Sequence, residues 1–486
     1  MKTIKEHHWA IIIFVIAVLL RLYAAHMDSF LHEWDERFHA LVARNMMENP
    51  FHPLLIKIPF ESGNSHDWSS AQLWLHKQPL FMWQMAASMK LFGVSEFTMR
   101  LPSAMMGALM ILLLYRITLI LTNNKLVSSI AALLLCFSNY QLQLISGIEG
   151  MDHNDIAFEF YMLASCWAYA EYCISKKWYW VIIIGLLSGC AIFNKWLIGL
   201  AVFLGWGINM LYQFYKTKSI NQLGWMMLAL LICCAVFIPW QIYTILKWPT
   251  EAWYELNYNS KHITEVIEGH SGTTSYYFDA IELYVGKYIG YLFPLGVLFF
   301  IRDRKFNIEV MIAITSIFVF VICFLSFVVL TKIHSHIFFI VPFALISIAY
   351  AVVKIITSFN NIFFKSAIII GLIYFSIQPN FFINYLSKEN KHRESCIQNA
   401  NAYRNIDKLV PENIHIVINI NALEHINLMF YHPEYQANNR WLSDNDLIKC
   451  KAQKQWIAAF QNHENYNLPE QILNYPYLYI IKTELK

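Results

Sequence analysis

Pro79-Leu-Phe-Met-Trp-Gln-Met-Ala-Ala-Ser-Met-Lys-Leu-Phe92 decides how the rest of the chain is threaded. The segment is apolar enough to be counted as a membrane crossing. Other apolar runs recur near 9–25, 101–121, 127–146, 157–174, 178–194, 196–215, 224–246, 284–301, 309–331, 336–355 and 366–384. A bilayer core takes about 20 apolar residues of helix. With the N-terminus inside and 79–92 left uncounted, the inner hairpins hold Arg116 and Lys125, Lys176 and Lys177, Lys216 and Lys218, Arg302, Arg304 and Lys305, then Lys354 and Lys365. Short cytoplasmic loops collect basic residues in this way. Counting 79–92 reverses every later loop, so the segment reads as an interfacial or re-entrant helix on the outer side. About eleven crossings result. The outer regions are 26–100, 247–283 and the tail beyond 385, with short outer turns near 147–156, 195 and 332–335.

The 486 residues are 57% hydrophobic and 14% charged, with a mean hydropathy of +0.41. A soluble domain carries about 25% charged residues. The fold class expected is an all-α polytopic membrane protein. Lys2 and Lys5 precede the first apolar run, but no small-residue cleavage site follows, so the run reads as a retained anchor. Most of the nine cysteines lie in apolar runs as packing residues; Cys396 and Cys450 lie in the tail, where a disulfide is open. The tail is polar and rich in Asn. Ile414–Ile420 and Leu478–Ile481 read as strands, and Asp444–Phe460 is helix-like. The domain division expected is therefore a transmembrane domain over 1–384 and a small extracytoplasmic α/β domain over 385–486.

Several chemistries are excluded. There is no Gly-x-x-x-x-Gly-Lys-Ser/Thr loop, no Gly-x-Gly-x-x-Gly and no Gly-x-Ser-x-Gly. A basic nucleic-acid surface is absent as well. The unusual ionisable residues gather on the outer side under this topology. The first loop gives Asp35, Glu36, Arg37, His39, Arg44, Lys57, His76 and Lys77, and the second outer turn gives Glu149, Asp152, His153 and Asp155. Lys195, His262, His270, Lys332, His334 and His336 follow. Charges at a membrane boundary are costly, and several converging there point to function. Each has a structural reading beside the functional one. Asp35-Glu36 suits a helix N-terminus, and Asp152-His-Asn-Asp155 can cap the helix that follows. Lys195 can snorkel. Imidazoles and carboxylates suit a divalent metal, although no pair has diagnostic spacing.

In order, these segments resemble the C-type (GT-C) membrane glycosyltransferases, and within them the lipid A aminoarabinose transferases and protein O-mannosyltransferases. The resemblance runs through Trp34-Asp-Glu-Arg-Phe-His39, His76-Lys-Gln-Pro-Leu-Phe-Met-Trp83 and Gly93-Val-Ser-Glu-Phe-Thr-Met-Arg-Leu-Pro-Ser103. It continues through Asp152-His-Asn-Asp155, Gly185-Leu-Leu-Ser-Gly-Cys-Ala-Ile-Phe-Asn-Lys195, the region from Pro239-Trp240 to Tyr276-Tyr277, and Thr331-Lys-Ile-His-Ser-His-Ile-Phe-Phe-Ile-Val-Pro342. It covers about residues 10–345. His76 stands where the family has a metal-binding Glu, and His334 and His336 flank the place where it has Tyr.

The resemblance implies transfer of a hexose or pentose from polyprenyl phosphate, with inversion, at the extracytoplasmic face of the plasma (inner) membrane. The acceptor classes it leaves open are lipid A or another glycolipid, a surface glycan and a protein hydroxyl. By resemblance Asp35 is the acceptor's base, with Asp155 or Asp152 as second acid, and Lys77, Lys195 and Lys332 bind the donor phosphate. A divalent metal ion is an expected cofactor, with Glu36, His76, His262 and His270 as candidate ligands. The alternatives are a flippase or transporter of lipid-linked sugars and a non-catalytic glycan-binding scaffold.

Overall fold

The computed structural model describes residues 7–59, 68–149, 153–218, 221–303, 305–420, 423–439, 441–461, 468–482 and 485. Asp152, Arg304, Lys2 and Lys5 lie outside the described residues. In chain order the helices are α1 (His8–His26), α2 (Asp35–Met46), α3 (Leu80–Phe92), α4 (Glu96–Thr122), α5 (Lys125–Cys136), α6 (Asn139–Ser146), α7 (His153–Ser175), α8 (Trp178–Lys195), α9 (Ala201–Thr217), α10 (Leu223–Lys247) and α11 (Pro249–Thr264). Then come α12 (Leu292–Asp303), α13 (Ile308–Cys323), α14 (Val341–Ser358), α15 (Ile362–Ile377), α16 (Lys391–Arg404), α17 (His425–Tyr431) and α18 (Asp444–Ala452). The chain divides into two compact units. The first holds 1–25, 77–81 and 100–379, and the second holds 26–76, 82–99 and 380–486. The tail thus returns, at Asn380, to a unit that also contains most of the first long loop, a grouping different from the 1–384 and 385–486 division expected from sequence.

Among the described residues, eight helices are long and apolar enough to cross a membrane, and nine if the bent pair α5–α6 is one span. The chain is an integral, multi-pass membrane protein. The difference from about eleven has physical causes. The expected span 127–146 bends by 41° between α5 and α6. There Ser138 caps α6 through Gln141 N, and the carbonyls left at the end of α5 are met by Arg21 of α1, which donates to Leu135 O (2.9 Å) and Cys136 O (3.1 Å). Irregular backbone at membrane depth is tolerated only when protein groups satisfy it in this way. The expected span 284–301 breaks at Gly286, where φ is +102° and a Cβ would sit 2.6 Å from Phe375 O. Beyond the break only the 12-residue α12 is left, about 18 Å long at 1.5 Å per residue.

Helix α7 has span length but carries Asp155, Glu159 and Glu171, and each is partnered within the bundle. Asp155 pairs with Lys195. Glu159 accepts from Gln141 Nε2 at 3.0 Å, and Glu171 takes Arg116 in a two-pronged pair at 2.6 and 3.0 Å. Helix α7 packs on α8, α8 on α10, α9 on α13, and α5 and α12 on α14. Gly185 and Gly189 let α8 and α10 approach, since a Cβ would lie 2.5 Å from Ala229 O and 2.7 Å from Val236 Cβ. Small residues four apart serve this purpose between membrane helices. Residues 79–92, whose reading fixed the topology, form the 13-residue α3, too short to span.

The C-terminal part of the second unit is a four-stranded parallel sheet in the order β2–β1–β3–β4. The strands are β1 (Ile416–Ile418), β2 (Gln436–Ala437), β3 (Ile457–Phe460) and β4 (Leu478–Ile481). Ile416, Ile418, Leu442, Cys450, Ile457, Ala459, Ile472 and Tyr475 form its core. The helix-like run Asp444–Phe460 is two elements. Helix α18 ends at Ala452, Lys454 turns through φ +53°, and Ile457–Phe460 becomes a strand buried on both faces, as a parallel strand's continuous apolar run allows. Cys396 and Cys450 are both free thiols.

Candidate functional site

The first unit brings most of the candidate residues together. Helix α7 opens with His153, Asn154 and Asp155, all buried, so Asp155 is tucked into the bundle and is not a solvent-facing cap. Asp155 accepts from Lys195 Nζ. Lys195 is the last residue of α8, where the chain turns directly into a short 3-10 segment, Trp196–Leu200. Half-buried Glu149 stands beside this pair. Burial pushes its carboxyl up to about 7, with the charge of Asp155 adding to the effect.

Across from them, residues 262–270 and 330–332 are laced by backbone bonds. Leu330 N donates to Ile263 O (3.1 Å), Thr331 N to His262 O (3.1 Å) and Lys332 N to His270 O (2.9 Å). This ladder sets His262 and His270 beside the start of the 331–342 segment. His336 is half-buried within that segment. Burial, and then the positive charges of Lys195, His262, Lys77 and His270, hold its imidazole well below the usual range. Lys77, Lys195, His262 and His270 therefore bear on one neutral imidazole.

Lys332 differs from its expected role. Its ammonium points into the end of the helix before it, donating to Leu325 O, Ser326 O (2.9 Å) and Val329 O (2.6 Å). An ammonium has three donors, so Lys332 is used up in closing the π-turn Phe324–Val328 that ends α13. Tyrosines line the same region. Tyr276 stacks on His334 at 4.6 Å and 14°, Tyr284 Oη lies 2.9 Å from His334 Nδ1, and Tyr140 packs edge-on against Tyr284. Sequence reading assigned no role to Glu149, Tyr140, Tyr284 or His336. Glu149 and His336 stand out in sequence only as ionisable residues of the outer turns.

The second unit carries Asp35, Glu36 and His76. Asp35 opens α2 and is half-buried. Trp34 before it holds φ 61°, ψ −132°, a conformation that costs a non-glycine residue about 1–3 kcal/mol and gathers at functional sites. Glu36 is buried, and its Oε2 accepts from His32 N at 2.6 Å, which ties the entry of α2 to the turn before it. His76 stacks on Trp68 at 5.7 Å. Among the described residues no group of three His, Cys, Asp or Glu side chains is placed to hold a metal ion.

Residues 50–253 match the family model for dolichyl-phosphate-mannose-protein mannosyltransferase. Among curated proteins, none matches the sequence. The chain is similar in structure to ArnT from Cupriavidus metallidurans bound to undecaprenyl phosphate, with 14% identity, a TM-score of 0.65, and coverage of 92% of this chain and 89% of that one. It is also similar to the oligosaccharyltransferase AglB from Archaeoglobus fulgidus in complex with an inhibitory peptide and a dolichol-phosphate, with 11% identity and a TM-score of 0.51 over 89% of this chain and 64% of that one. The chain has the GT-C fold of membrane glycosyltransferases, and residues 50–253 carry the mannosyltransferase family's pattern.

Proposed function

We propose that the chain is a polyprenyl-phosphate-dependent glycosyltransferase. The observation that carries the reading is a set of basic residues, Lys77, Lys195, His262 and His270, whose charges bear on His336, in a bundle that also holds apolar cavities. A cavity of about 740 Å³ lies between α12, α13 and α14, lined by Phe293, Val297, Phe300, Met311, Phe318 and Ile346. Phe293 and Phe318 also line a second, smaller apolar cavity together with Tyr277, Tyr284 and Ile337. Basic residues together with apolar cavities between the helices suit a lipid that ends in phosphate. The undecaprenyl phosphate and dolichol-phosphate held by structural neighbours support the same donor class.

In the reaction the bond from the sugar's anomeric carbon to the phosphate oxygen breaks, and a bond to the acceptor oxygen forms on the opposite face. Asp35 takes the acceptor's proton, a contribution of about 10²–10⁴ in rate. The leaving phosphate keeps the electron pair. Lys77 and Lys195 stabilise that charge, by about 3–4 kcal/mol for a well-placed donor. Asp155 fixes Lys195 and is the second acid of the site, with Asp152 as the other candidate for that role. Lys332 supports the fold of the 331–342 segment. The acceptor is a lipid A-like glycolipid, a surface glycan or a protein hydroxyl at the extracytoplasmic face of the plasma (inner) membrane.

The test is transfer of radiolabelled sugar from polyprenyl phosphate by purified protein, with mass spectrometry of glycolipids and glycoproteins to name the acceptor. Asp35→Asn is expected to lower the rate by about 10²–10⁴ while the protein stays folded and membrane-inserted. An Asp35→Asn protein as fast as wild type would overturn the assignment.

A further inference from the structure

Between α1 and α2 the chain runs through eight residues, Met27–Trp34, with no helix or strand. Side chains hold this turn, and the principal ones come from the C-terminal segment of the same unit. Arg393 of α16 donates from Nε to Asp28 Oδ1 at 2.6 Å and from NH2 to Met27 O at 3.2 Å. Tyr385 Oη donates to Asp28 Oδ2 at 2.7 Å. The Asp28 carboxylate is fully enclosed, with His32 at 3.2 Å as a further partner. Arg404, at the other end of α16, donates to Ser29 O and to Glu96, and its guanidinium also reaches Tyr431 Oη at 3.2 Å.

The turn is fixed from its far side as well. Arg37 Nε donates to His32 O at 3.4 Å, and its charge bears on the Glu424 carboxyl. Glu424 in turn accepts from Tyr403 Oη at 2.5 Å and Asn399 Nδ2 at 3.0 Å. Asp35 therefore follows a turn held by Arg393, Tyr385 and Arg404 of the C-terminal segment and by Arg37 of α2 itself.

We propose that Arg393 and Arg404 are positioning residues for Asp35: the tail sets the turn from which the base reaches the acceptor. This rests on the assignment of Asp35 as base. A misplacement of about 1 Å at a reacting group can cost roughly 100-fold, so the effect belongs in kcat and not in donor binding, whose cations lie in the other unit.

The experiment measures kcat and both KM values for Arg393→Ala, Arg393→Lys, Arg404→Ala and Tyr385→Phe, with Gln436→Ala as a control elsewhere in the tail, where Gln436 Nε2 donates to Ile58 O. Arg393→Ala and Arg404→Ala are expected to lower kcat about 10- to 100-fold with donor KM within about twofold. Arg393→Lys should recover part of the rate, because one ammonium reaches Asp28 but does not serve Met27 O as well. If Arg393→Ala does not fold, the kcat values of Arg393→Lys and Tyr385→Phe decide, since each keeps most of the anchor and should still fall below wild type. In an Asp35→Asn background, adding Arg393→Ala should slow the residual reaction no further. Wild-type kcat in these variants, or losses that multiply with Asp35→Asn, would overturn the proposal. Full activity of Asp35→Asn alone would overturn the base assignment instead.

Discussion

The two ends of the helical unit use their charges in opposite ways. At the end with the hairpins near 122–125, 176–177 and 303–309, three cations are paired one to one with acids of neighbouring helices. Arg116 grips Glu171, Lys176 meets Glu309 at 2.6 Å, and Lys354 meets Asp303. These are local, half-exposed pairs that tie neighbouring helices. At the other end Lys77, Lys195, His262 and His270 bear on His336, while Glu149 and Asp155 stand close enough for one to raise the other's carboxyl. One end balances charge pair by pair. The other sets several basic groups about His336, with Asp155 paired to Lys195 and Glu149 near Asp155, and an excess of like charge costs stability unless a ligand of matching charge completes it.

Substitutions at the two ends test that contrast. The largest effect is expected at Lys195→Met, which leaves the enclosed Asp155 carboxylate without its ammonium. Transfer should fall about 10²–10³-fold, and stability in detergent should drop by on the order of 3 kcal/mol. Adding Asp155→Asn should restore melting temperature but not activity; if both return together, the pair is structural only.

Next is Glu149→Gln. The wild-type carboxyl is raised from 4.5 to about 7 because burial disfavours its charged form. Its stabilising contribution is complete below pH 4.5 and is lost as pH rises through 7, and glutamine has no such loss. The variant should therefore gain in melting temperature relative to wild type between about pH 5 and pH 8, by on the order of 2 kcal/mol. A difference that stays flat across that window would place Glu149 in solvent.

The smallest effect is expected at Lys176→Ala. Exposed pairs contribute about 0–1 kcal/mol, so transfer should change less than about twofold. A large loss of activity there would erase the contrast between the two ends.

The same contrast marks what could be read along the chain. The basic hairpins announced one end through residues adjacent in sequence, and the placement of 79–92 outside the count of crossings comes from them. The acids on α7 were partly hidden, because Glu159 and Glu171 look like charges in a span until Gln141 and Arg116 are brought alongside. Lys332 shows the limit most directly. The family resemblance implied a phosphate ligand, but only the π-turn after α13 reveals the carbonyls that take its ammonium. The break between α5 and α6 is equally invisible in an apolar run, since the group that satisfies it, Arg21, lies 114 residues before Leu135.

By itself the sequence determined the membrane class, the tail's α/β character and the set of residues able to do chemistry. Apolar run length, charge placement and strand pattern are local properties, and the bilayer turns them directly into architecture. The tertiary structure decided which of those residues face one another. It buried Asp155 against Lys195, gathered the cations on His336, withdrew Lys332, and fastened the turn before Asp35 with arginines from the far end of the chain. Such contacts join residues distant in sequence, and a side chain's partner is fixed only when the backbone between them has folded.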